Sequence, residues 1–186
     1  VDAVLGHSFG GKVALELVTT LARPPAQVWI IDSTPEPRAA DSSAMTMLTT
    51  VRRHPGPFRS RQALVDLLTG AGYSEAVAAW MASNLGLEGG EFRWRIDFDL
   101  MEALLRDFAA RDYWHVITSP PPGVMVHVVK ATESSMLSEA ACARIEEAAA
   151  RHGRAALHTV SGGHWLNTDN PDALIALLSR ELPRLG

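Results

Sequence analysis

Val1-Asp2-Ala3-Val4-Leu5-Gly6-His7-Ser8-Phe9-Gly10-Gly11-Lys12 is an apolar run that stops at a glycine, followed by a serine between glycines and the start of a helical pattern. Val13, Leu17 and Leu21, with Ala14 and Val18, recur at helical spacing from Gly10 to Ala22 until Pro24-Pro25 ends the helix. Gln27 to Ile31 reads as a continuous apolar strand, and Asp32-Ser33-Thr34-Pro35 after it is a turn sequence. Strand, helix and strand in so short a stretch predict a βαβ unit with two parallel strands. The fold class is therefore α/β.

Working outward, the alternation stops at Glu36 and the chain becomes helical. Ser60 can cap a helix carrying Ala63, Leu64, Leu67 and Leu68, ended by Gly70. Ser74 can cap a second through Val77, Trp80, Met81 and Leu85, closed by Gly86, and Asp97 or Asp99 can start a third through Leu100, Ala103, Leu104 and Phe108. Pro120-Pro121-Pro122-Gly123 marks the return to alternation: Val124–Val129 as strand, Leu137–Arg151 as helix, Ala155–Val160 as strand and Pro171–Leu182 as helix. The expected organisation is a core of residues 1–35 and 122–186 with a helical insertion over 36–121, rich in Trp and Met.

Composition bounds the rest. Of 186 residues, 47% are hydrophobic and 20% charged, values of an ordinary globular chain. Seventeen Lys and Arg against 21 Asp and Glu leave a net charge of −4, so no basic footprint points to nucleic acid. The single cysteine, Cys142, excludes an internal disulfide and a cysteine-based metal cluster. Apolar runs such as Val28-Trp29-Ile30-Ile31 are far shorter than the ~20 residues of a membrane span. An intracellular, cytoplasmic domain is expected, with organelle targeting left open because the chain opens inside a strand and its N-terminus is read as missing. The chain is read as a truncated piece of a longer one.

Gly6-His7-Ser8-Phe9-Gly10 is a G-x-S-x-G sequence between strand and helix, a sharp turn that lifts a serine hydroxyl above the sheet. Ser8 is the candidate nucleophile, and the Phe9 backbone N–H the candidate donor to a developing oxyanion. Gly6 to Lys12 also matches most of a phosphate-binding loop, but Val13 stands where that loop needs Ser or Thr to hold Mg²⁺. Among seven histidines, His164 in the loop Ser161-Gly162-Gly163-His164-Trp165 is best placed to act as base. His54, His115 and His152 read as solvated or structural, His127 and His158 as core or sheet-face residues, and His7 as held by the turn itself. For the acid that orients His164, Asp32 ends the strand next after the serine's own, and Glu133 is the alternative, in the loop Ala131-Thr132-Glu133-Ser134-Ser135.

The elbow Gly6–Lys12, the strand Val28–Asp32 and Gly163-His164-Trp165 together resemble the serine α/β-hydrolase family. Phe92-Arg93-Trp94 is similar to its small acyl-ester esterase branch. The resemblance implies an α/β-hydrolase fold, here the C-terminal part of a mostly parallel sheet with a helical lid insertion. In most members the acid follows the strand corresponding to Val124–Val129, where this chain has Ser134. The esterase branch uses the aspartate after the preceding strand, which maps to Asp32. Members carry about four further strands and a loop giving a second oxyanion N–H before the serine, so the 186 residues alone are expected to fold poorly and be impaired. A serine nucleophile implies ester or thioester hydrolysis through a Ser8–His164–Asp32 triad, with a small-molecule ester as partner, and neither cofactor nor metal. The alternative is a non-catalytic α/β-hydrolase-fold protein that binds a ligand or partner.

Overall fold

The computed structural model describes residues 2–39 and 43–182. In chain order the elements begin with β1 (Ala3–His7), α1 (Phe9–Thr20) and β2 (Gln27–Ile31). There follow α2 (Ser43–Arg52), α3 (Arg61–Gly70), α4 (Glu75–Ala82), β3 (Leu85–Glu88), β4 (Glu91–Trp94), α5 (Phe98–Ala110) and α6 (Trp114–Thr118). The chain closes with β5 (Met125–Ala131), α7 (Glu139–His152), β6 (Ala155–Val160), α8 (Leu166–Asp169) and α9 (Pro171–Glu181). Contacts divide it into two compact units, one of Val1–Arg38 and Ala110–Gly186, the other of Ala39–Ala109.

The first unit holds a four-stranded parallel sheet in the order β1-β2-β5-β6. Register runs His7 opposite Ile31, Ile31 opposite Val129 and Ala131 opposite Val160, so the loops after all four strands emerge at one edge. Alternation along β2 sends Val28 and Ile30 to one face and Trp29 and Ile31 to the other. The first pair packs with Ala14, Leu15 and Val18 of α1 and Ile145 of α7. The second packs with Leu166 of α8 and with Leu174 and Leu177 of α9.

Helix ends follow their sequence signals. Ser138 accepts a hydrogen bond from Ala141 N–H at the start of α7, and Asn170 from Ala173 N–H at the start of α9, where Pro171 opens the first turn. β1 begins at Ala3 and runs on through His7, because Gly6 and His7 pair in parallel register with Ile30 and Ile31. Val1, where the strand was expected to begin, lies outside the described residues. On α1 the helical spacing misleads in one respect. Ala14 and Val18 are buried with Leu15, whereas Val13, Leu17 and Leu21 form an exposed row, Val13 at 52%. Among the described residues β1 pairs with β2 alone, and its Leu5 is exposed.

The second unit corrects the reading of its segment as wholly helical. α4 ends at Ala82, and Leu85 pairs with Trp94 in the antiparallel hairpin β3–β4. Gly89 and Gly90 at its tip both take positive φ (60° and 86°), as a two-residue hairpin turn of the primed type requires. Gly86 therefore sits within a strand, and Phe92-Arg93-Trp94 is β4. The expected caps of the other helices are present: Ser60 on α3, Ser74 on α4 and Asp97 before α5, whose Oδ1 accepts from the N–H groups of Asp99 and Leu100. In α5, Met101 and Leu105 pack on the unit's core while Leu100 and Leu104 are exposed.

His127 is 3% exposed on the α9 face of the sheet, stacked on Trp29 at a centroid separation of 3.9 Å. Its Nδ1 hydrogen-bonds His158 Nε2 at 3.0 Å, and its Nε2 is buried with no partner. Burial, then the neighbouring His158, push its pKa down to about 4. The unfolded chain thus takes up this proton near pH ~6.5 while the folded chain refuses it. Stability falls as pH drops from ~6.5 towards ~4, by on the order of 3 kcal/mol from this group, at 1.36 kcal/mol per pKa unit. His127→Phe should flatten that part of the profile in urea melts at pH 4.5 and 7.5; an unchanged slope would show that the acid sensitivity lies elsewhere.

Candidate functional site

Ser8 stands between the end of β1 and the first residue of α1 with φ 54° and ψ −118°. A non-glycine residue in that region is strained by on the order of 1–3 kcal/mol, and surrounding contacts must hold it. Two of them are backbone bonds, Ser8 N–H to Ile31 O at 3.0 Å and Gly11 N–H to Ser8 O at 2.9 Å. The glycines permit the turn by leaving space. A Cβ on Gly6 would lie 1.9 Å from Gly10 O, and one on Gly11 2.4 Å from Ser33 Cβ.

Asp32 follows β2 at the same sheet edge, fully buried and also at positive φ (41°). Its N–H donates to Val129 O at 2.7 Å, and its Oδ1 accepts from Ala131 N–H at 3.2 Å. Its Oδ2 lies 2.6 Å from His164 Nδ1. Burial by itself raises this carboxyl's pKa. The hydrogen bonds from His164, Ser134 and Ala131 outweigh it, so the net shift is below the usual carboxylate value. The Ser134 hydroxyl contributes from the loop after β5, a role that nothing local in the sequence signals.

His164 lies in the loop between β6 and α8. Gly162 (φ 140°) turns the chain there, its N–H donating to Thr132 Oγ1 at 3.2 Å and its carbonyl accepting from Glu133 N–H at 3.0 Å. His164 Nε2 is 2.9 Å from Ser8 Oγ. Ser8, His164 and Asp32 are thus joined by two hydrogen bonds across residues far apart in sequence. Glu133, the alternative acid, is exposed, and its backbone N–H donates to Gly162 O. Phe9 is the first residue of α1, at the positive end of the helix dipole.

The lysine that suggested a phosphate loop is spent on structure. Lys12 is 3% exposed, and its Nζ donates to Glu36 O at 2.9 Å and Arg111 O at 2.7 Å. His152 accepts from Arg154 N–H through Nδ1 and bonds Ile117 O through Nε2, a structural use. Among the described residues no group of three or more His, Cys, Asp or Glu is placed to hold a metal ion. No described helix is long and apolar enough to cross a membrane.

Residues 1–177 match the model of the alpha/beta hydrolase family. The chain belongs to the alpha/beta hydrolase family. Solved structures of similar fold include an esterase from a marine microorganism, with a TM-score of 0.78 at 20% identity over 97% of this chain and 69% of that one. An E-2-(acetamidomethylene)succinate hydrolase follows, with a TM-score of 0.72 at 18% identity over 96% of this chain and 65% of that one. An esterase from Mycobacterium tuberculosis has a TM-score of 0.61 at 22% identity over 97% of this chain and 60% of that one. This alpha/beta hydrolase chain therefore spans about two thirds of its structural neighbours' length. No curated protein matches the sequence.

The glycine spacing generates an ordered prediction. Gly6→Ala should unfold or grossly destabilise the protein, since the backbone oxygen in its way cannot move without opening the turn. Gly11→Ala should cost about 1–3 kcal/mol through crowding of Ser33. Gly10, with nothing within 4 Å of its Cβ position, should accept alanine, with a gain of up to ~1 kcal/mol from helix propensity. Chemical denaturation midpoints of the three variants test the order; equal losses at Gly6 and Gly10 would contradict it.

Proposed function

We propose that this alpha/beta hydrolase cleaves carboxylic esters or thioesters through an acyl-enzyme on Ser8. The observation that carries the reading is the chain of two bonds, Ser8 Oγ to His164 Nε2 at 2.9 Å and His164 Nδ1 to Asp32 Oδ2 at 2.6 Å. With Asp32 ionised, Nδ1 keeps its proton and Nε2 presents a lone pair to the serine hydroxyl. Ser8 Oγ attacks the acyl carbon as its proton passes to His164 Nε2. The tetrahedral oxyanion is met by Phe9 N–H, and collapse expels the alcohol or thiol, which takes the proton from His164. Water then repeats the sequence to release the acid. Asp32 stabilises the imidazolium formed in each half.

On the same reading the insertion over 36–121 is a lid. A protein that only binds through this fold has no use for a serine bonded to an oriented imidazole, which favours the enzymatic reading over the binding one. A fluorophosphonate probe should label wild type and Ser33→Ala but not Ser8→Ala; a labelled Ser8→Ala protein would refute the nucleophile. Asp32→Asn should lower kcat for p-nitrophenyl esters by up to about 10⁴, the loss seen when a triad carboxylate is replaced by its amide. Glu133→Gln should leave it within about threefold. The reverse order would transfer the acid's role to Glu133.

A further inference from the structure

The histidine beside the serine has its own bond to make. His7 Nε2 lies 2.6 Å from the backbone carbonyl oxygen of His164. A carbonyl only accepts, so His7 must carry its proton on Nε2. The ring is half-buried, 4.7 Å between centroids from the His164 imidazole and 5.3 Å from Trp165. Its own backbone is held in β1 opposite Ile31.

We propose that His7 is the positioning residue for His164: its Nε2–H holds the His164 carbonyl and so sets the imidazole over Ser8. This rests on the triad reading above. The loop that carries His164 is otherwise tied at its flanks. Gly162 bonds back to Thr132 and Glu133 on one side, while on the other Trp165 O accepts from the N–H groups of Thr168 and Asp169. Gly162 and Gly163 between strand and histidine leave the backbone there with wide rotational freedom. A bond to the carbonyl of residue 164 restrains the rotation that would swing its side chain from Ser8 Oγ. The donor comes from the residue directly before Ser8, so nucleophile and base are referenced to one strand end.

Neutrality is part of the role. Burial lowers the pKa of His7, with the adjacent His164 acting in the same direction; the bond to His164 O and the charge of Asp32 oppose them and lose. A neutral donor holds the carbonyl without placing a second cation beside the imidazolium that forms during turnover. Lysine or arginine there would repel it.

The test compares three substitutions in p-nitrophenyl ester kinetics and fluorophosphonate labelling. His7→Phe keeps the ring and loses the N–H, and His7→Asn keeps an amide too short to reach. Both should lower kcat by up to about 10²-fold with KM unchanged, the scale of a misplaced catalytic group. Labelling of Ser8 should slow in parallel. His7→Gln, whose amide nitrogen reaches the same place, should recover kcat to within about threefold of wild type. Phe or Asn variants with wild-type kcat, or a Gln variant as impaired as both, would overturn the inference while leaving the triad intact. A Ser8→Ala protein that still turns over ester would instead refute the triad reading beneath it. Independently of how the variants fold, long-range ¹H–¹⁵N spectra of wild type should show His7 as the Nε2–H tautomer at neutral pH. The Nδ1–H tautomer would overturn the proposal.

Discussion

The approach of Gly6 to the Gly10 carbonyl is the constraint on which the rest of the site depends. No side-chain atom fits between them, since a Cβ there would lie 1.9 Å from the oxygen. That closeness makes the turn tight enough to hold Ser8 at positive φ, and the turn in turn aims the α1 N-terminus and the serine hydroxyl at one point. The strain at Ser8 is balanced by bonds reaching outside the turn, above all Ser8 N–H to Ile31 O. The neighbouring strand thus holds both the turn and, one residue later, Asp32.

Asp32 repeats the pattern at the next strand end. It too has positive φ, and its N–H is held by Val129 O of the strand beyond. A fully buried carboxylate is costly to desolvate, and here three donors compensate it: His164, Ser134 and Ala131 N–H. Two of the three come from β5 or the loop after it. The parallel register therefore supplies the electrostatics as well as the geometry, because the end of β5 and the loop after it contribute donors to the carboxylate at the end of β2.

Two other buried polar groups have uses apart from that edge. Lys12 gathers the Glu36 and Arg111 carbonyls, on the segments of the first unit that lead to and from residues 39–109. A buried ammonium bonded to backbone oxygens explains a lysine where the helix would otherwise favour an apolar residue. His127 and His158, stacked with Trp29 under α9, form a polar pair in an aromatic environment that burial keeps neutral.

Local signals made much of this legible. The G-x-S-x-G turn between an apolar strand and a helix, the apolar run of β2 ending in Asp32, and the Ser60, Ser74 and Pro171 helix starts are all short-range features, and the structure has each of them. The β3–β4 hairpin was legible too, in Gly89-Gly90, but the helical pattern on either side obscured it. Other facts have no local signature. Which face of α1 is buried depends on where the sheet lies, so Val13, Leu17 and Leu21 look like core residues in sequence and are exposed in the fold. The bonds from His7 to His164 and from Ser134 to Asp32 depend on strand order, which a sequence does not display. Sequence alone determined which residue types were available and the turns that carry them, because backbone conformation there is set by neighbours along the chain. Only the tertiary structure set Asp32 rather than Glu133 against His164 Nδ1, because parallel pairing of β2 with β5, and of β5 with β6, brings one carboxylate to 2.6 Å and leaves the other in solvent.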